Sequence, residues 1–450
     1  MSLDSFQLPE GWRHIKLGSI GKWGSGGTPD RRRSDFYGGS IPWIKIGDLN
    51  DGVVATTEET ITEEGLAGSS AKLVDPGALL VAMYGASIGK LGITGIWSAT
   101  NQAIAFCVPS PELATSEFLF QLLLYLRPIL ISEGKGGAQP NISQTVLKSL
   151  DIPLPPLDQQ AGIVQTLESI AHRRKDVAQQ LAAAVRRIEY FRQATLAAAC
   201  SGRLTSDWRD QHPMHSAMAR ASRQDVSPLV ETPDAWPWVQ LQDVADVRGG
   251  IQKGAKLKPG EPTREVPYLR VANVQRGWLD LSEIKTIPAP ESKIADLKLQ
   301  PGDILFNEGG DRDKLGRGWV WEGQIPECIH QNHVFRARLR NKRMQPRFYS
   351  WFGNTIGARY FIDQGKQTVN LASLSMTKLK ELPVPVPSPQ EQSEIVRRVD
   401  ELLQVADGLL ARVEKAVRRI ERSSQAVLAK AFRGELLPTG AGTFATPEEA

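Results

Sequence analysis

Several groupings in the chain have residue types that could do chemistry, and each falls short of a catalytic set. Gly85-Ala86-Ser87-Ile88-Gly89-Lys90 has the glycines and lysine of a phosphate-cradling loop. Its spacing is one residue short, and Leu91 stands where a Ser or Thr must bind magnesium. None of the six histidines has metal-ligand spacing, and His330 and His333 lie beside Gln331-Asn332, which is not a usual cage. No glycine-rich methyl-donor loop precedes an Asn-Pro-Pro-aromatic or Asp-Pro-Pro-aromatic tetrapeptide, and no carboxylates stand with a lysine in a nuclease setting. Cys107, Cys200 and Cys328 are scattered, which argues against a disulfide framework or zinc knuckle and for a reducing cytoplasm. The expectation is a chain with no catalytic residue, metal or cofactor of its own.

A second class of residues is better represented. Arg and Lys suit guanine edges and phosphates, while Asn and Gln suit adenine. In the first half, a glycine turn leads through Thr28 to Arg31, Arg32 and Arg33, and Lys135 to Gln139 form a polar loop. Lys45, Tyr84, Ser87, Lys90, Asn101 and Gln102 lie at predicted strand ends. The second half offers Arg248, Gln252, Lys253, Lys256, Lys258, Arg270, Asn273, Arg312, Lys314, Gln331, Asn332, Lys366 and Gln367. For each alone a solvated surface group is the better reading, by about two to one; together, with about a third or more expected to touch DNA, they form a candidate DNA-binding set. Residues 236–389 hold 23 basic against 16 acidic side chains, and residues 1–157 hold 12 against 15. Bulk charge therefore favours a polyanion in the second half, whereas the first must rely on local clusters.

The elements that position these groups come in duplicate. Val185–Leu204 and Val417–Leu436 align without a gap and share Val, Arg, Arg, Ile and Glu at their first five positions. Each ends a helical run with a heptad seam: Ile163, Leu167, Ile170, Val177, Leu181, Ala184, Ile188 and Phe191 in the first, with Arg174 as its polar interruption. The second has Ile395, Val399, Leu402, Ala406, Leu409, Val413, Ala416 and Ile420. Gly202 and Gly434 are expected to stop the helices in left-handed turns. Upstream, Pro9-Glu10-Gly11-Trp12 matches Pro233-Asp234-Ala235-Trp236, and Ile41–Ile46 matches Val266–Val271. The recurring Trp12, Trp43, Trp236 and Tyr268 read as core.

The order is globular part, helix, globular part, helix. Short apolar runs bounded by Gly, Pro and Asn, such as Ala78–Met83 and Ala103–Val108, predict strands, with helical patches at Glu117–Leu126 and Arg347–Tyr360. The fold class expected is α+β: two globular mixed α/β domains, each with a twisted or barrel-like sheet, joined by two long helices. The helices would form an antiparallel coiled coil with a pseudo-twofold axis. Boundaries fall at 1–157 for the first domain, 158–205 for its helix, 206–232 for a linker, 233–389 for the second domain, 390–437 for its helix and 438–450 for a tail. Proline-rich hinges (Pro153–Pro156 and Pro383–Pro389) end the globular parts, with Asp158 and Ser388 as expected helix caps. A helix of about 40 residues spans about 60 Å, and an antiparallel pair would suit a DNA reader of two half-sites. No apolar run has membrane-spanning length.

These residues resemble the specificity subunit of type I restriction–modification systems over almost the whole chain. The resemblance rests on LPEGW near the start, GGTPD…YGGSIPWIKIGDLNDG (Gly26–Gly52), IPLPPLDQQ (Ile152–Gln160) and FRQATLAAACSGRLTSDWR (Phe191–Arg209). It continues in LPVPVPSPQEQSEIVRRVDELL (Leu382–Leu403) and QAVLAKAFRGEL (Gln425–Leu436). It implies two target-recognition domains, each reading half of a split site on double-stranded DNA, with the paired helices setting the gap. It implies docking of two methyltransferase subunits and, in the full complex, two restriction/translocase subunits. S-adenosylmethionine, ATP and Mg2+ would belong to those partners. The repeated outward residues Arg186, Arg187 and Glu189, and Arg418, Arg419 and Glu421, are the candidate docking surface. A stand-alone two-headed DNA-binding regulator and a purely structural adaptor are the rival readings.

Overall fold

The run Ala78–Met83 lacks polar alternation, so a strand formed from it must be covered on both faces. It yields the strand Leu79–Ala82, with all four residues buried. That strand is the centre of a five-stranded sheet ordered Gly21–Ser25, Ile104–Pro109, Leu79–Ala82, Leu91–Thr94, Gly52–Val54. A second sheet runs Glu59–Ile61, Tyr37–Ile44, Ser98–Thr100, Leu73–Val74. The helix Ser116–Ser132 is capped by Thr115, whose hydroxyl accepts from the Phe118 N–H. It contributes Phe118, Leu119, Leu122, Leu123, Leu126 and Leu130 to the core.

The computed structural model describes residues 8–134, 140–213, 226–252, 254, 261–310, 314–367 and 372–436. They form two compact units, one up to Leu181 plus the residues from Glu414 onward, the other Ala182–Val413. The second unit repeats the plan of the first. Its four-stranded sheet runs Ala245–Arg248, Val334–Leu339, Ile304–Asn307, Gly318–Val320, beside a three-stranded one of Lys285–Pro290, Thr263–Leu269, Ile329–His330. Trp12, Trp43, Trp236 and Tyr268 are all buried, as expected of core residues. Each unit divides its strands among several small sheets in place of the single twisted or barrel-like sheet expected. Strands of two to eight residues, interrupted by Gly and Pro, are too short to close one.

The two long helices are Leu157–Cys200 and Pro389–Phe432. In the first unit, Ile163 and Leu167 share a core with Ala431 and Phe432. In the second, Ala199 and Cys200 share a core with Ile395 and Val399. Gly202 and Gly434 adopt φ of 80° and 74°, the left-handed stops expected. The heptad seam is closed at Ile163, Leu167, Ile395, Val399 and Ala406, but Val177, Phe191 and Leu409 stay 41%, 39% and 45% exposed. Seam positions are fully covered chiefly where a globular part also packs on the helix.

Three local expectations are revised or sharpened. The first long helix starts one residue before Asp158, so Asp158 is not its cap but sits in the first turn, where a carboxylate favours the helix dipole. Ser388 does cap the second, its hydroxyl accepting from the Glu391 N–H at 3.3 Å. The proline hinges supply edge strands: Asp151–Leu154 pairs with Arg13–Lys16, and Pro383–Pro385 pairs with Trp238–Gln240. Arg347–Tyr360 is two helices, Pro346–Asn354 and Ile356–Gln364, broken at Thr355. No helix among the described residues is long and apolar enough to cross a membrane.

Candidate nucleic-acid interface

In each unit a glycine-led segment crosses a short loop that leaves a strand, and the backbone geometry of the two crossings is the same. In the first unit the Gly27 N–H donates to Thr100 O at 2.9 Å, the Asn101 N–H to Ile44 O at 3.0 Å and the Ile104 N–H to Asn101 O at 3.2 Å. In the second the Ile251 N–H donates to His330 O at 2.8 Å, the Gln331 N–H to Leu269 O at 2.9 Å and the Val334 N–H to Gln331 O at 2.9 Å. A Cβ on Gly26 would lie 1.8 Å from Thr100 O, and one on Gly250 1.8 Å from His330 O. Only glycine allows so close an approach. Thr28 thus corresponds to Gln252, Asn101 to Gln331 and Gln102 to Asn332.

Around the first crossing, the Thr28 hydroxyl donates to Gln102 Oε1. The segment is tied to the sheet by Trp43 Nε1, donating to Gly27 O at 3.1 Å, and by the Tyr37 hydroxyl, donating to Pro29 O at 2.6 Å. The Arg31 guanidinium lies 4.6 Å from the Tyr37 ring centroid and 4.9 Å from that of Trp43, while Nη1 donates to Glu59 at 2.7 Å. Lys45 Nζ also reaches Glu59, at 2.7 Å. Arg31 and then Lys45 hold the Glu59 carboxyl below its ordinary range. Arg32 and Arg33 each grip an aspartate two residues away, Asp30 and Asp35, and Arg32 holds Asp30 down at about 2. Asn101 is half-buried, and its Oδ1 has no hydrogen-bond partner among the described residues.

Tyr84, Ser87 and Lys90 occupy a separate turn, with Tyr84 bridged to Asn141 and Lys90 exposed. The glycine-rich stretch there forms a 3-10 turn, Gly85–Ser87, not a phosphate loop opening a helix.

Around the second crossing, Asn332 Nδ2 lies 3.3 Å from His333 Nε2, and His333 Nδ1 lies 2.5 Å from Glu308 Oε2. Gln252 is exposed and Gln331 half-buried. Burial pushes the His330 imidazole down to about 4, with Nδ1 against Val334 O at 2.6 Å. Arg248 pairs with Asp246 and Asp296, and Arg270 with Glu283 at 3.2 Å. Lys314 is half-buried. Asn273 is not available to a base: it is buried, Nδ2 donates to Asp280 O and Glu283 O, and Oδ1 accepts from the Arg270 N–H. Its amide holds its own loop closed. Lys135, Gln139, Lys253, Lys256, Lys258 and Arg312 lie outside the described residues, as do the side chains of Lys366 and Gln367.

On the helices, Arg186, Arg187, Glu189, Arg418, Arg419 and Glu421 are all exposed, beside Tyr190 at 74% exposure. Among the described residues no group of His, Cys, Asp and Glu could hold a metal. All three cysteines are buried free thiols, and burial pushes each up to about 12.

Sequence reasoning placed His333 beside Asn332 but missed Glu308 as the partner of that histidine. It also missed the joints at the helix starts. Trp12 Nε1 donates to Gln159 Oε1 at 2.7 Å, and Trp236 Nε1 to Glu391 Oε2 at 2.8 Å. The next residue, Gln160 or Gln392, is fully buried and bonded to backbone of its globular part. The aligned pairs Gln159-Gln160 and Glu391-Gln392 were the available signal.

The profile of the family described as "Type I restriction modification DNA specificity domain" matches residues 9–186 and again 233–418. The chain is 27% identical over 440 residues to the type I restriction enzyme EcoKI specificity subunit of Escherichia coli (strain K12), covering 96% of this chain and 90% of that one. It is 26% identical over 443 residues to the EcoBI specificity subunit of Escherichia coli, covering 95% and 87%. In fold it is similar to the HsdS subunit from Thermoanaerobacter tengcongensis, with a TM-score of 0.61, 20% identity, and coverage of 97% of this chain and 100% of that one. A chain from a structure of type I R-M complex assembly and conformational transition superposes with a TM-score of 0.66 at 20% identity, covering 96% and 100%.

Proposed function

The chain belongs to the type I restriction–modification DNA specificity family, and from that premise we propose that it reads a two-part DNA site, one half with each unit, as a non-catalytic subunit. One observation carries the division of labour: the two crossings share their backbone bonds and their glycine, yet present unlike polar side chains. A common frame with different reading groups is what two different half-sites require. Arg31, Gln102, Gln252, Gln331 and Asn332 are the described side chains best placed to touch bases, with Lys90 and Arg248 supporting them on phosphates.

The two long helices are the ruler of this proposal, paired antiparallel about a pseudo-twofold axis. Their repeated, exposed ends, Arg186, Arg187 and Glu189 with Arg418, Arg419 and Glu421, dock two methyltransferase subunits, and restriction subunits join outside them. S-adenosylmethionine, ATP and Mg2+ act in those partners. Docking one identical partner twice explains why outward residues repeat as faithfully as seam residues.

The test is to replace residues 233–389 with the matching part of a relative of different specificity, then map methylation in a host that supplies the methyltransferase. One half of the recognised site should change and the other should persist. Change in both halves, or in neither, overturns the division. Removing about four residues from one long helix should shorten the gap between half-sites, and an unchanged gap defeats the ruler. Tight site-specific binding that needs no methyltransferase would favour a stand-alone regulator.

A further inference from the structure

Building on this half-site reading, we infer that Gln102 in the first unit and Asn332 in the second are equivalent base readers, each set to recognise an adenine in its half-site. The two residues occupy the same place in the repeat, two positions beyond the carbonyl that receives the crossing N–H, Thr100 O or His330 O. The crossing is closely packed backbone in both units, where no side chain fits at Gly26 or Gly250. A reader on such a frame loses little freedom when it binds.

A carboxamide is the one side chain that can both donate to adenine N7 and accept from its N6 amino group. It reads only if its oxygen and nitrogen are kept the right way round. In each unit a neighbour bonds the carboxamide and limits its rotation, and the two neighbours differ. The Thr28 hydroxyl donates to Gln102 Oε1, and Nε2 has no hydrogen-bond partner among the described residues. In the second unit the Glu308 carboxylate lies against His333 Nδ1, and a neutral ring with its proton on Nδ1 presents Nε2 as acceptor to Asn332 Nδ2. That leaves Asn332 with one N–H and its oxygen for a base. Gln102 is exposed and Asn332 half-exposed. Thr28, His333 and Glu308 are positioning residues in this scheme.

The preceding amides, Asn101 and Gln331, do not fit the role as well. Among the described residues Asn101 Oδ1 is buried with no partner, and no group holds the orientation of Gln331.

The experiment selects bound sequences from a randomised duplex library with the full chain, assembled with its partner subunits where they co-purify. Gln102→Glu and Asn332→Asp keep size and remove the donor, which favours cytosine over adenine. Each should lower preference for adenine about ten- to a hundredfold at a single position of one half-site, leaving the other half-site as in the parent. Thr28→Val should weaken preference at the position affected by Gln102→Glu, which a purely structural role would not do. Replacing that adenine by 7-deazaadenine should weaken the parent protein and not weaken Gln102→Glu further. If Gln102→Glu and Asn332→Asp select the parental sequences, or if 7-deazaadenine is bound as well as adenine, the inference is overturned while the half-site reading stands. If the parent protein selects no sequence at all, the half-site reading itself falls.

Discussion

Each long helix begins at a joint with a buried tryptophan, and the two joints are wired differently. In the first unit Trp12 meets the neutral Gln159. In the second Trp236 meets the carboxylate of Glu391, which also accepts from Thr205 Oγ1 at 2.8 Å and Arg209 Nη1 at 2.5 Å. Arg209 in turn donates from Nη2 to Gly202 O at 2.6 Å, so it ties the end of the first long helix to the start of the second. A buried charge is tolerable only beside a counter-charge and with its remaining lone pairs satisfied. The carboxylate stands where Arg209 comes to it, and an amide stands where no cation among the described residues does.

The largest expected effect comes from making the two joints alike. Glu391→Gln leaves the Arg209 guanidinium without its partner in a mostly buried site and should cost about 3 kcal/mol, read as a lower denaturation midpoint for the second unit. Gln159→Glu in the first unit should cost less, about 1–2 kcal/mol, since that joint is only partly buried. Adding Arg209→Met to Glu391→Gln should recover much of the loss. Equal costs at the two joints would show that the wiring difference is incidental.

This joint also shows where the sequence stops being readable. The duplication, the helix stops at Gly202 and Gly434, and the recurring core aromatics were legible because each is a local or repeated signal. Arg209 sits in a stretch read as the start of a linker, yet it belongs to the helix Ser206–Gln211 and pairs with a residue 182 positions away. No spacing rule reaches that far. Lys45 and Arg270 read as DNA-contact candidates, and their pairing was not legible because the glutamates arrive on the neighbouring strand or its approach. At the crossings the backbone frame follows from the glycines, but the reading side chains differ between units, so the repeat could not mark them. Asn273 shows the converse, a polar residue whose type suited a base and whose burial assigns it to its own loop.

A second, smaller contrast lies directly under the crossings. His330 fills in the second unit the place that Thr100 fills in the first, and only the histidine titrates. Burial lowers its pKa to about 4 from an ordinary 6.5, so the fold holds the neutral ring. Above about pH 6.5 this contribution to stability is fully present. As pH falls towards 4 the unfolded chain takes up a proton that the folded unit refuses, and stability drops by up to about 1.4 kcal/mol per pH unit. The second unit should therefore become acid-sensitive between pH 6.5 and 4 in a way His330→Thr removes. Thermal melts across that range, with parent and variant showing the same slope, would contradict it.

The smallest effect is expected where the two units are most alike. Lys45 pairs with Glu59, and Arg270 with Glu283, at the same point of the repeat, just after the strands Tyr37–Ile44 and Thr263–Leu269. The two units share this backbone frame, and an ion pair kept at the same point of both is assigned to the frame. Lys45→Met and Arg270→Met should leave the selected sequence unchanged, and partly exposed pairs of this kind contribute little to stability. If instead these cations leave their glutamates to meet phosphates when DNA arrives, each loss should reduce the dependence of log affinity on log salt concentration by about one. An unchanged slope with an unchanged sequence preference keeps both residues in the frame. A reduced slope with unchanged preference would move them to the phosphate-positioning set, and would make the glutamates stand-ins for the DNA backbone in the free protein.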